Sequence, residues 1–217
     1  MRKPNPINWS LLLGFASLAV SAGVAYLGWK AAKKAEERAS ETISPLEPGE
    51  SVLLMGDSIA EGLDPHLRRL FEGFGSPFEA RWKRGTTARY WDAESTDEAG
   101  GFDLVLLSLG SNDIAGSYWA PEEAAALDSL IGKLRSRGAS VYWVRPPSFR
   151  YEGLTDAQAF FAELMRERGV FELPVQGPQP DVLSDPQHLH LTPDGYRTLA
   201  SQLFHAATTA PYGQALA

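Results

Sequence analysis

Residues 51–63, SVLLMGDSIAEGL, constrain this chain more than any other stretch. Four apolar residues in a row, Val52 to Met55, predict a buried strand, and Gly56-Asp57 breaks it into a tight turn. Ser58 then stands where strand gives way to helix. A strand-to-helix turn lifts a small side chain above a sheet and aims backbone N–H groups and a helix N-terminus at the same point. A hydroxyl there can attack an acyl carbon. Ser58 with Glu61 three residues on also reads as a capping box, which needs no chemistry.

The rest of the chain repeats the alternation. Apolar positions at Leu63, Leu67, Leu70, Phe71 and Phe74 predict a helix over 59–74, with Pro65 near its first turns. Strands are expected at Phe78–Trp82, Asp103–Leu109, Ser140–Arg145 and Val170–Leu173. Asp103–Leu109 (DLVLLSL) is apolar almost throughout, as a central parallel strand should be. Helices are expected at Pro121–Arg137, with Ala125, Leu127, Leu130, Ile131 and Leu134 on the buried face, at Thr155–Arg168, and at Pro193–His205 behind a Thr192 cap. Such alternation implies an α/β fold, a three-layer α/β/α sandwich around a parallel sheet. Functional groups collect at the carboxyl ends of strands in such sheets, where Ser58, Gly85 and Asn112 all fall.

Before this domain, Trp9 to Trp29 runs for 21 residues without a charge. As a helix it spans about 30 Å, the thickness of a bilayer's hydrocarbon core. Its terminal tryptophans suit the interface, and its length argues for an uncleaved anchor over a signal peptide. The chain thus divides into a flank (1–8), a transmembrane anchor (9–29), a helical stalk and Pro-containing linker (30–50), and one compact domain (51–217). Lys30, Lys33, Lys34 and Arg38 outnumber Arg2 and Lys3, a positive-inside signal for a cytoplasmic domain.

Charge and composition narrow the chemistry. The formal charge is −7, and residues 51–217 hold 14 Lys/Arg against 22 Asp/Glu, which argues against a nucleic-acid partner. Cysteine is absent, so disulfide, thiolate and cysteine-zinc chemistry are excluded. The four histidines, His66, His188, His190 and His205, show no metal-ligand spacing, and neither metal nor cofactor is expected.

GDS at 56–58, a loop glycine at Gly85, GSND at 110–113 and HLTPDGY at 190–196 occur in the order of the four blocks of SGNH hydrolases, also called the GDSL family, which the domain resembles. The resemblance implies a flavodoxin-like fold and serine hydrolysis of esters or thioesters. It assigns Ser58 as nucleophile, the Ser58 and Gly85 N–H groups with the Asn112 side chain as oxyanion donors, and a late histidine as base. The family usually places an aspartate three residues before that histidine. Here Gln187 precedes His190 by three and Asp185 precedes His188 by three, leaving two assignments: His190 with Asp185 reaching from five residues away, or an Asp185/His188 pair. Asp57 and Asp113 are expected to organise their turns.

The substrate stays open between short-chain esters, including O-acetyl groups of an envelope polysaccharide, and the longer acyl chains of lysophospholipids or thioesters. A catalytically silent glycan- or partner-binding module is a third reading. Thr86, Thr87, Arg89, Tyr90 and Trp91 after Gly85, and Tyr118-Trp119 after GSND, either line a sugar cleft or pack loops. The expected partners are a small-molecule or glycan ester and, through the anchor, a membrane. The resemblance places the domain at the cell envelope outside the cytoplasm, against the direction of the charge count.

Overall fold

A computed structural model describes residues 45–94, 101–115, 121–146, 152–173, 177, 180 and 190–209. Among them no helix is long and apolar enough to cross a membrane. The expected anchor at 9–29, the stalk as far as residue 44, Tyr118-Trp119, Asp185 and His188 lie outside the described residues.

Five parallel strands form one sheet: β1 (Val52–Gly56), β2 (Phe78–Trp82), β3 (Leu104–Ser108), β4 (Ser140–Trp143) and β5 (Phe171–Glu172), in the order β2-β1-β3-β4-β5. Among the described residues six helices accompany them: α1 (Ser58–Phe74), α2 (Ala88–Glu94), α3 (Ser111–Ala115), α4 (Pro121–Arg135), α5 (Glu152–Glu167) and α6 (Pro193–Thr209). The strand order reverses direction between β1 and β3, and a crevice opens beyond the carboxyl ends of strands at such a switch point.

Side chains of β1, β3 and β4 alternate between two cores, so the sheet is covered on both faces. Val52, Leu54, Leu104 and Leu106 pack with Leu63, Leu67 and Phe71 of α1 and Leu199 and Leu203 of α6. Leu53, Met55, Val105 and Leu107 pack on the other side with Trp91 of α2, Leu130 and Leu134 of α4, and Phe161 and Met165 of α5. Strands buried on both faces explain why β1 and β3 carry continuous apolar runs. At Gly56 the β1 and β3 backbones approach so closely that a Cβ would overlap the Ser108 carbonyl.

Three local readings change. Residues 45–50, read as linker, lie on the domain: Leu46 is buried and its N–H donates to Ala207 O (2.9 Å). On α4 the buried small residue is Ala126, while Ala125 is exposed. After Gly85 the chain forms α2 rather than an open loop, with Trp91 buried in the core. Its indole N–H donates to Thr86 Oγ1 (2.9 Å), and Thr86 is buried too, so both pack the loop rather than line a cleft.

Candidate active site

Turn geometry at the end of β1 aims Ser58. Asp57, not Ser58, is the N-cap of α1: its carboxylate accepts from the Ile59 N–H (2.9 Å), and its own N–H donates to Ser108 O (3.2 Å). Ser58 is therefore the first helical residue, and Glu61 is not the second half of a capping box; its carboxylate pairs with Arg84. The first N–H groups of a helix have no partner within it, so the Ser58 amide adds a donor at this point.

His190 arrives from the opposite end of the chain. Its Nε2 stands 3.0 Å from Ser58 Oγ. The residues after it hold it: Leu191 is buried in the core beneath α1, and Thr192 caps α6 by accepting from the Gly195 N–H (3.0 Å). This is hydrogen-bond reach for a base and a nucleophile.

The β2 loop supplies Gly85, whose φ of 73° is open to glycine at little cost. Thr86 fastens this loop: its hydroxyl donates to Lys83 O (2.7 Å), and its carbonyl accepts from Asn112 Nδ2 (3.0 Å). The same Asn112 amide donates to Asp57 Oδ2 (3.1 Å). Asn112 thus ties the ends of β1, β2 and β3 together. Ser58, Gly85, Asn112 and His190, with Glu61 and Arg84, line one cleft of about 630 Å³.

Two carboxyls lie under the cleft. Burial pushes Asp57 up to about 6, against hydrogen bonds from Ile59 and Ser111 and the attraction of His190, while Asp113 adds repulsion. Burial likewise pushes Asp113 up to about 6, against the Ala88 N–H that it accepts (3.3 Å). Both are closed off from water and support loops rather than reach substrate. Of the remaining histidines, His66 is half-buried on α1 and His205 exposed on α6. Among the described residues no group of acidic and histidine side chains could hold a metal ion.

Known proteins share this fold. The model of the GDSL-like lipase/acylhydrolase family matches residues 54–198. No curated protein matches. Among solved structures, LAE5, an alpha/beta hydrolase enzyme from the metagenome of Lake Arreo, Spain, is 19% identical over 75% of this chain and 96% of its own, with a TM-score of 0.59. A catalytic mutant of Axe2, an acetylxylan esterase from Geobacillus stearothermophilus, is 16% identical over 79% of this chain and 100% of its own, with a TM-score of 0.61. At these identities the likeness is one of fold.

Proposed function

The chain belongs to the GDSL-like lipase/acylhydrolase family, and we propose that it is a membrane-anchored serine esterase that hydrolyses short-chain esters, O-acetyl groups of an envelope polysaccharide among them. The observation that carries this reading is the 3.0 Å approach of His190 Nε2 to Ser58 Oγ inside a cleft lined by Gly85 and Asn112. As Oγ attacks the acyl carbon, His190 takes its proton and the carbonyl π electrons move onto oxygen. The tetrahedral oxyanion then lies among the Ser58 N–H, the Gly85 N–H and the Asn112 amide. Collapse expels the alcohol, which leaves with the proton held by His190; water, deprotonated by the same imidazole, releases the acid and restores Ser58. Both Asn112 amide hydrogens already have acceptors, so that side chain shares a hydrogen with the oxyanion while the backbone N–H groups donate outright.

The acetylxylan esterase activity of the fold neighbour supports the acetyl preference, and the uncharged run at 9–29 supports anchoring; the outer side rests on the family resemblance, against the Lys/Arg count. The full-length chain in detergent, assayed on p-nitrophenyl esters from acetyl upward, should turn over acetyl best. Ser58→Ala should lower kcat by several orders of magnitude while the fold is kept. A folded Ser58→Ala variant with wild-type turnover refutes serine catalysis, and a maximum at long chains transfers the reading to lipid substrates. Membrane sedimentation released by detergent, with the domain open to external protease on intact cells, tests the anchor and its side.

A further inference from the structure

The hydrolytic steps give no part to Glu61 and Arg84, yet both line the cleft that holds Ser58 and His190. Glu61 lies one turn beyond Ser58 on α1, and Arg84 directly precedes Gly85. The guanidinium meets the carboxylate through two parallel contacts, Nη2 to Oε1 at 2.8 Å and Nε to Oε2. Such a fork fixes both planes. The Arg84 side chain is 76% exposed and that of Glu61 24%, and pairs so open to water contribute little to folding.

Pairing consumes the Arg84 Nε–H and one Nη2–H. Both Nη1 hydrogens and the second Nη2–H stay available among the described residues, and each Glu61 oxygen keeps a lone pair. Donors and acceptors therefore stand side by side on one wall of the cleft that holds the nucleophile. An anionic ligand gains little there, because Glu61 already neutralises Arg84. A long acyl chain would strip water from two charges. Hydroxyl groups both donate and accept, so adjacent hydroxyls can take a hydrogen from the guanidinium and give one to the carboxylate. Beside the pair, the Tyr196 ring lies directly over Gly62, where a Cβ would overlap it, and lines the same cleft. Ring C–H groups of a polyol can rest against it.

We propose that Glu61 and Arg84 are specificity-determining residues that seat a vicinal diol on the alcohol side of the scissile ester, so that the preferred substrates are acyl esters of neutral sugars or similar polyols; this rests on the esterase reading above. The test compares the full-length wild type with Glu61→Ala and Arg84→Ala on three substrates: p-nitrophenyl acetate, a mono-O-acetylated methyl glycoside, and the same ester with its remaining hydroxyls O-methylated. In the wild type the free glycoside should exceed its O-methylated form in kcat/KM by about tenfold or more, the size expected of hydrogen bonds to charged groups. Each variant should lower the ratio of kcat/KM for the free glycoside to that for p-nitrophenyl acetate by a similar factor, mostly through KM. An unchanged ratio, whether both activities fall together or neither falls, overturns the proposal and leaves the pair a loop tie. A wild type that cleaves none of the three overturns the esterase reading itself.

Discussion

The buried carboxylate of Asp57 accepts a hydrogen bond of 3.1 Å from the side-chain amide of Asn112, 55 residues away. The same carboxylate caps α1 at Ile59, so one side chain orients both the helix that carries Ser58 and the amide that faces the cleft. If Asp57 acts through Asn112, the two should not be additive. Asn112→Ala is expected to lower kcat about a hundredfold. Asp57→Ala should lower it as well, but much less once Asn112 is already alanine, with a coupling of about 1–2 kcal/mol in a double-mutant cycle. Additive losses would mean that Asp57 serves the helix alone.

Asp57 and Asp113 also set a pH dependence of stability. A carboxyl raised from 3.8 to about 6 on folding holds its proton more tightly folded than unfolded. Its ionisation therefore opposes folding: the penalty is absent below the unfolded value, grows as pH rises, and is complete above about 6. Ionising such a buried carboxyl at neutral pH costs on the order of 3 kcal/mol. Asp57→Asn, which cannot ionise and caps helices well, should gain on the wild type between about pH 4 and pH 7. Urea midpoints across that range measure the difference; a constant or falling difference would show that Asp57 is ionised throughout.

Gly56 and Gly73, at the two ends of the same strand-to-helix unit, should respond to alanine with opposite signs. At Gly56 the methyl would overlap the Ser108 carbonyl across two central strands. Neither strand can move aside in a core packed on both faces, so Gly56→Ala should destabilise by about 1–3 kcal/mol or more and depress kcat by displacing Ser58. Gly73, exposed near the end of α1, has nothing within 4 Å of such a methyl. Gly73→Ala should stabilise by about 0.5–1 kcal/mol, through helix propensity alone. Equal urea midpoints for the two variants would falsify this packing account.

Much of the sheet can be read directly from the chain because burial on both faces leaves little choice of residue. Leu53 and Leu54 point to opposite cores and both must be apolar, so β1 and β3 announce themselves as runs. A parallel sheet then puts the ends of β1, β2 and β3 on one edge, which groups Ser58, Gly85 and Asn112 without any knowledge of distances. Helices α2 and α3, of seven and five residues, are too short for a 3.6-residue period to show. Trp91 misleads for the same reason: an aromatic after a loop glycine reads as a cleft residue until its partner Thr86 and the facing α4 are seen. Arg84 carries no local signal, since its partner Glu61 lies 23 residues earlier. The Ser58/Glu61 pattern is not a capping box because Asp57, one residue before, caps more directly.

His190 and His188 lie two residues apart, and the aspartate spacing favours one as base while the HLTPDGY block favours the other. The neighbours of His190 favour the block: Leu191 is anchored in the core and Thr192 caps α6, so the backbone that leaves residue 190 is fixed. With Nε2 3.0 Å from Ser58 Oγ, His190→Ala should remove the base and lower kcat by several orders of magnitude. His188→Ala should change kcat by no more than a few fold. A carboxylate that orients an imidazole is worth up to about ten-thousandfold in kcat, so Asp185→Asn discriminates between a well-ordered triad and a histidine that works on its own hydrogen bonds. A large loss in Asp185→Asn that vanishes in the His190→Ala background would pair Asp185 with His190. A loss that instead tracks His188→Ala would move the base to His188 and leave His190 a loop residue beside the nucleophile.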